Sequence, residues 1–339
     1  MVEYMVKKIS GIIGLILLSI VMYIFMEVQV TIDSPNTDKP IIKEEEVNEV
    51  SEWITIPTYD GANEVTHPKI LYFKDGFNGY KYWMVATPYE NNDTYLENPS
   101  VVVSNDGTNF IEPKGIKNPI SGYPSIKKND TYYSDPFILY YKDHFELFYR
   151  KTGSIENGKY ISNGYNYLYH MESINGIKWF SKKIILRNDS YERYMSPSVI
   201  KTRNLYKIWY TNYDCNMKYI ESNDLKKFNK PLDVKIKNFD KGVWHSEIQY
   251  KDGKYYLIFM TRNNYLYYTE SKNGINFDEP KLINTNLDEL KGTYNYIYKT
   301  TFILRGNGIE LYIPYKVNGR WKMYHKVMTL DNFYKELNN

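Results

Sequence analysis

Six polar residues mark where this chain could do chemistry: His67, Asp135, Ser196, His245, Glu247 and Lys299. Three of them, His67, Asp135 and Ser196, are each followed by proline, and all six stand at or near the head of a short apolar run. A carboxyl group beside a histidine suits acid–base work near neutral pH, because imidazole titrates there and a carboxylate can serve as base or nucleophile. Cleavage of a glycosidic bond needs such a donor and acceptor. Asp135, Glu247 and His67 are the candidate catalytic set. Glu97 and Asn98, just before a third apolar run, and Arg150, Ser196, His245, Arg262 and Lys316 are candidate substrate contacts. Arg150, Arg262 and His67 also suit a phosphate or uronate oxyanion. The alternative for each is that these groups only satisfy one another inside a core.

Those residues are held by one repeated unit. His67-Pro68 leads into KILYF, Asp135-Pro136 into FILYY, Ser196-Pro197 into SVIK, His245-Ser246-Glu247 into IQY, and Lys299-Thr300-Thr301 into FILR. Each is followed by a turn and a second aromatic strand: YKYWMVA, FELFY, YKIWY, YYLIFM and ELYIP. A further turn recurs after the third strand: Ser104-Asn105-Asp106-Gly107, Ser173-Ile174-Asn175-Gly176, Ser222-Asn223-Asp224-Leu225, Ser271-Lys272-Asn273-Gly274 and a degenerate Thr329-Leu330-Asp331-Asn332. Their roughly 49- to 69-residue spacing suits four-stranded propeller blades. The sequence therefore predicts an all-β, five-bladed propeller over residues 51–339, with WITI (53–56) supplying the outer strand that the last blade lacks. With 37 Tyr and 17% aromatic residues the composition favours strands.

Propeller connectivity places the start of strand one, the end of strand two and the start of strand three at one mouth. The candidate residues above all fall there, with Thr87 and Asn212, whereas the opposite mouth receives generic turns. The expected ligand is an oligo- or polysaccharide.

Residues 9–26 form an uncharged apolar run long enough to cross a bilayer as a helix. Lys7 and Lys8 precede it and acidic residues follow, which predicts a single-pass membrane anchor with residues 1–8 inside and the propeller outside. No small-x-small cleavage site follows the run. Residues 27–50 read as a polar linker. Net charge is +3 without a basic block, which argues against nucleic acid. The single Cys215 allows no internal disulfide, and there is no CxxC, HExxH, P-loop or GxSxG motif. His144, His170 and His325 read as structural. No cofactor and no metal-ligand set is predicted; the one ionic option is a cation on the channel axis held by His245 and carboxylates.

On its Asp135-Pro136 opening, its other X-Pro strand heads and its S-x-D/N-G turns, the chain resembles the propellers of the glycoside hydrolase family 43 and family 32 superfamily, the arabinanase, levansucrase and invertase type. That resemblance implies an Asp on the first blade as base or nucleophile, an orienting Asp on the second and a Glu acid on the third. Asp135 matches the second position. His67 stands at the first and Ser196 at the third, so the standard triad is broken. The resemblance thus implies a glycan-acting hydrolase with a non-standard site, or a non-catalytic glycan-binding propeller that has lost it.

Overall fold

The computed structural model describes residues 47–123, 131–156, 159–188, 192–286 and 295–338. They form an all-β five-bladed propeller. Blade 1 contains β2 (Val65–Phe77), β3 (Tyr80–Pro88) and β4 (Ser100–Ser104). Blade 2 has β5 (Tyr132–Tyr141), β6 (His144–Glu156), β7 (Lys159–Ser173) and β8 (Phe180–Asn188). Blade 3 has β9 (Met195–Lys201), β10 (Tyr206–Thr211), β11 (Met217–Ser222) and β12 (Leu232–Asp233). After a short β13 (Lys235–Ile236) comes blade 4, with β14 (His245–Lys251), β15 (Lys254–Met260), β16 (Leu266–Ser271) and β18 (Lys281–Ile283), β13 pairing with β17 (Asn276–Phe277). Blade 5 is β20 (Thr301–Arg305), β21 (Gly308–Val317) and β22 (Arg320–Thr329), with β19 (Tyr296–Ile297) on β21.

The inner strands β2, β5, β9, β14 and β20 each touch the inner strands of both neighbouring blades, so they enclose the axis. The ring closes as WITI leads one to expect: β1 (Val50–Ile54) pairs antiparallel with β22, Trp53 opposite Tyr324. The expected degenerate turn after β22 is instead helix α1 (Leu330–Glu336), because the Thr329 side chain caps it by accepting from the Asn332 N–H.

A strand buried on both faces must be apolar at every position, which explains the unbroken aromatic runs. Alternate side chains then serve alternate interfaces. Trp83 and Val85 of β3 pack against blade 2, whereas Tyr82 and Met84 pack against blade 5. Phe145 and Leu147 meet blade 1, and Phe148 meets blade 3. Five such apolar clusters fill the five interfaces. Each fully buried large side chain contributes roughly 1.5–3 kcal/mol. The Ser-x-Asn/Asp-Gly turns add a second register pin. Ser104, Ser173 and Ser271 accept from the Gly107, Gly176 and Gly274 N–H groups, and Ser222 from that of Leu225. Gly176 lies so close to Trp83 of the preceding blade that a Cβ would sit 2.2 Å from the indole. Only glycine fits there.

His170 and His325 are structural, as expected. Each bonds a buried glutamate on its own blade, Glu146 and Glu310 respectively, at 2.8 Å. Tyr206 and Tyr82 reach the same two carboxylates from the next blade. Burial works to raise the Glu146 carboxyl, but His170 and Lys201 outweigh it and hold it at about 2.

Among the described residues no helix is long and apolar enough to cross a membrane. The apolar run at 9–26 and the linker up to residue 46 lie outside them.

Candidate functional site

The site begins with three strained strand heads. His67, Asp135 and Ser196 have φ of 50°, 52° and 46°, the left-handed region, although each precedes a proline. Non-glycine residues avoid that region, and strain of this kind persists where the surrounding fold enforces it. In each case the strand pairing slips at that point, so the residue is the extra one of a β-bulge. Proline fits because a bulge asks for no ladder N–H. The bulges bring three side chains from three consecutive blades together on the axis. His245 at the head of β14 joins them from blade 4 without a bulge.

The four converge on one oxygen. Asp135 Oδ1 lies 3.5 Å from His67 Nε2, 3.4 Å from His245 Nδ1 and 3.2 Å from Ser196 Oγ. Ser196 Oγ is 2.7 Å from His245 Nδ1. The other carboxylate oxygen, Oδ2, forms an ion pair with Arg150 at 3.0 Å and accepts from Ser134 Oγ at 3.0 Å. His67 Nδ1 is fixed by Thr87 Oγ1 at 3.0 Å. One ligand atom from each of His67, Asp135 and His245 lies within 4.8 Å of the other two. His67 Nε2 and His245 Nε2 are buried without a hydrogen-bond partner.

Electrostatics sets the charges of this group. Burial, the largest influence, drives both histidines below their ordinary pKa, against the pull of Asp135. Burial would raise the Asp135 carboxyl, yet His67, Arg150 and His245 hold it well below the usual range. At neutral pH the trio is therefore two neutral imidazoles around one carboxylate. That is the protonation state in which such side chains ligate a divalent metal.

One tier deeper, two residues further along β2 and β14, the polar groups pair with each other. Lys69 Nζ bonds Glu247 Oε1 at 2.9 Å, and Gln249 donates to the same oxygen at 3.0 Å. Lys299 sits between the tiers, its ammonium 3.4 Å from the carbonyl oxygens of Pro68 and Pro136. Burial lowers its pKa to about 8, against the pull of Glu247 and Asp135.

Tyr298 packs against both histidines, edge-on to His67 and tilted to His245, with centroids 4.8 and 4.6 Å away, and also touches Trp244 and Trp321. Glu97 is buried beside it. Burial and the nearby Asp135 keep its carboxyl well above the usual range, and Arg150 offsets this only in part.

No family model matches the chain. A solved N-acetylgalactosamine deacetylase from Flavonifractor plautii, in complex with blood group B trisaccharide, superposes with a TM-score of 0.68 at 19% identity, covering 86% of this chain and 97% of that one. A glycoside hydrolase family 43 protein from Bacillus licheniformis gives 0.59 at 12% identity, covering 84% of this chain and 56% of that one. A family 43 endo-arabinanase from the same species gives 0.55 at 15%, covering 81% and 96%. The fold is that of the family 43 propellers. In sequence, the A type blood N-acetyl-α-D-galactosamine deacetylase of F. plautii is 38% identical over 86 residues, 24% of this chain. That match spans 11% of the deacetylase's length.

Within this family 43 fold the predicted residues separate. His67, Asp135, Ser196, His245 and Arg150 come together, with Glu97 close by. Glu247 is paired with Lys69 and lies outside the hydrogen-bonded cluster around Asp135. Asn98 donates to Tyr59 and to the Tyr95 carbonyl, which ties down its loop. Asn212 closes the turn before β11 by accepting from the Asp214 and Asn216 N–H groups. Arg262 bonds Cys215 Sγ and the Tyr213 carbonyl away from the axis, and Lys316 bonds Asn92. Tyr298 and Arg193 were not singled out by sequence reasoning. Tyr298 directly precedes the Lys299 strand head, a position that could have marked it.

Proposed function

We propose that the axial trio is a divalent-metal centre and that the protein hydrolyses the N-acetyl group of an amino sugar within a glycan. The observation that carries this reading is the convergence of two neutral, buried histidines with open ring nitrogens on one ionised carboxylate. The similarity to an N-acetylgalactosamine deacetylase supports the substrate class. When bound, the ion would supply Lewis-acid polarisation of the amide carbonyl and a water of lowered pKa. His67, Asp135 and His245 would hold it. Thr87 fixes the His67 ring, and Arg150 and Ser134 hold Asp135 so that Oδ1 stays on the axis. As water oxygen bonds to the acetyl carbon and the C–N bond breaks, the amine must gain one proton and the water must lose one. Glu97, kept protonated by burial, would give the first and recover the second. Tyr298, packed against His67 and His245, would wall the site on the substrate side.

A second reading has its own support. Glu97 protonated beside ionised Asp135 is the division of roles that glycoside cleavage requires. Incubation with an N-acetylated oligosaccharide separates the two readings. Acetate release that stops with chelator and returns with a divalent metal supports deacetylation. New reducing ends insensitive to chelator refute it in favour of the glycosidase.

We further propose that residues 9–26 anchor the chain in a membrane with the propeller outside. Protease added to intact cells should release a folded fragment beginning between about residues 30 and 50; a domain protected until lysis refutes the placement.

A further inference from the structure

One charged feature of the mouth has no role in the reaction above. Arg193, just before β9, lays its guanidinium 3.9 Å from the centre of the Tyr213 ring and makes no hydrogen bond or ion pair among the described residues. Arg262 donates to the Tyr213 carbonyl and to Cys215 Sγ and has no carboxylate partner there either. Both cations are thus carried by one residue, Tyr213, itself half exposed. On the axial side, Arg150 lies 5.9 Å from the ring of Tyr132, and Tyr132 and Arg150 are both electrostatic neighbours of Arg193. Guanidinium and phenol alternate outward from the site: Arg150, Tyr132, Arg193, Tyr213, Arg262. The series ends in a cavity of about 550 Å³ between blades 3 and 4, lined by Tyr213, Phe239 and Arg262.

Clustered guanidinium groups repel one another, and Arg193, half-buried and without a carboxylate partner among the described residues, keeps its N–H donors open to a ligand. Asp233, on the same cavity wall, is bonded by Lys218 at 2.6 Å and so does not serve the arginines. Asp214 and Asp240 also line the cavity, but neither is among the main electrostatic neighbours of Arg193. Planar, forked donors match the oxygens of a carboxylate, sulfate or phosphate, and tyrosine faces match sugar rings.

We infer that this alternating track is a subsite for an anionic group carried by the glycan, one or more sugars away from the residue at the axis. The inference rests on the glycan reading above but not on its chemistry. Four tetrasaccharide probes test it by calorimetry. The first alternates N-acetylglucosamine with glucuronic acid, and the second is its carboxyl-reduced form. The third and fourth are N-acetylglucosamine tetramers with and without one 6-sulfate. An anionic probe should bind roughly tenfold or more tightly than its neutral counterpart, as expected for charge-assisted hydrogen bonds. The uronate and sulfate arms tell which oxyanion is preferred. Arg193→Gln and Arg262→Gln should bring the paired affinities to within about twofold while unfolding at the wild-type temperature, and raised salt should erode the advantage. Equal binding of charged and neutral probes, or an advantage that survives both substitutions, overturns the inference. Acetate release measured on the same probes keeps the two readings apart. Release without anion preference refutes only the subsite, and anion-selective binding without release refutes only the deacetylase.

Discussion

Glu247 is the residue whose sequence position and surroundings pull hardest apart, so its replacement is the most informative perturbation. It is fully buried, bonded to Lys69 and close enough to Lys299 to raise that amine's pKa. Glu247→Gln keeps the shape and removes the charge, leaving the buried Lys69 ammonium without its partner. Breaking a buried ion pair from one side costs about 3–5 kcal/mol. For a domain of this size that corresponds to a fall in Tm of roughly 5–8 °C. The double variant Lys69→Met/Glu247→Met should recover most of the loss, since replacing both ions with apolar groups is often neutral. Thermal unfolding followed by circular dichroism reads the effect, and calorimetric titration with zinc reads the axial trio in the folded protein. Zinc affinity should stay within about threefold of wild type, because Glu247 lies outside the trio. A Glu247→Gln protein that melts within about 2 °C of wild type refutes the ion-pair argument. One that folds normally but binds zinc tenfold more weakly returns Glu247 to the chemistry.

Three further outcomes are expected. Below about pH 6.5 an unfolded histidine takes up a proton that buried His67 and His245 refuse, so stability falls with pH by up to about 1.4 kcal/mol per pH unit for each; the protonated Glu97 works in the opposite sense above about pH 4.3. His67→Asn should therefore give a visibly shallower slope in urea unfolding between pH 5 and 7, and an unchanged slope counts against the neutral histidine. On the alkaline side, Lys299 loses its proton near 8 in the fold and near 10.4 when unfolded, so its contribution rises over that window by roughly 3 kcal/mol; this rise should vanish in Lys299→Met, and its persistence there refutes the assignment. Deleting residues 51–58 removes β1 beyond Val50 and should lower the melting temperature of the whole ring, whereas deleting residues 1–45 should not; equal melting temperatures would show that the ring closes without β1.

The chain's architecture was legible because propeller blades advertise themselves locally. An X-Pro strand head, an aromatic second strand and a Ser-x-Asn/Asp-Gly turn recur in order, and both the ring and its closing strand follow from them. The gathering of His67, Asp135, Ser196 and His245 at one mouth was legible for the same reason. Depth was not. Two residues along a strand is about 6.6 Å, so Glu247 shares a strand face with His245 yet falls into a different tier, where Lys69 meets it from across the channel. Nor does connectivity show which nitrogens end up without partners, since that depends on the bulges' left-handed backbone. Tyr298 is hidden among 37 tyrosines, and Arg193 matters because of what it does not bond.

The closing strand has a consequence for how the protein is made. Val50 is synthesised well before its partner Val327, with blades 1–4 and most of blade 5 encoded between them. At about 5–20 residues per second, roughly a quarter of a minute to a minute separates the two. Through that interval four blades can stack on their neighbours as they emerge, but the apolar seam of Ile70, Met84, Ile303 and Tyr312 cannot form until the fifth arrives. The nascent chain must therefore carry an open wedge with a strand waiting at its edge, the kind of surface that recruits chaperones or pairs with a neighbouring copy. Any translation pause between blade 1 and blade 5 would lengthen that exposure.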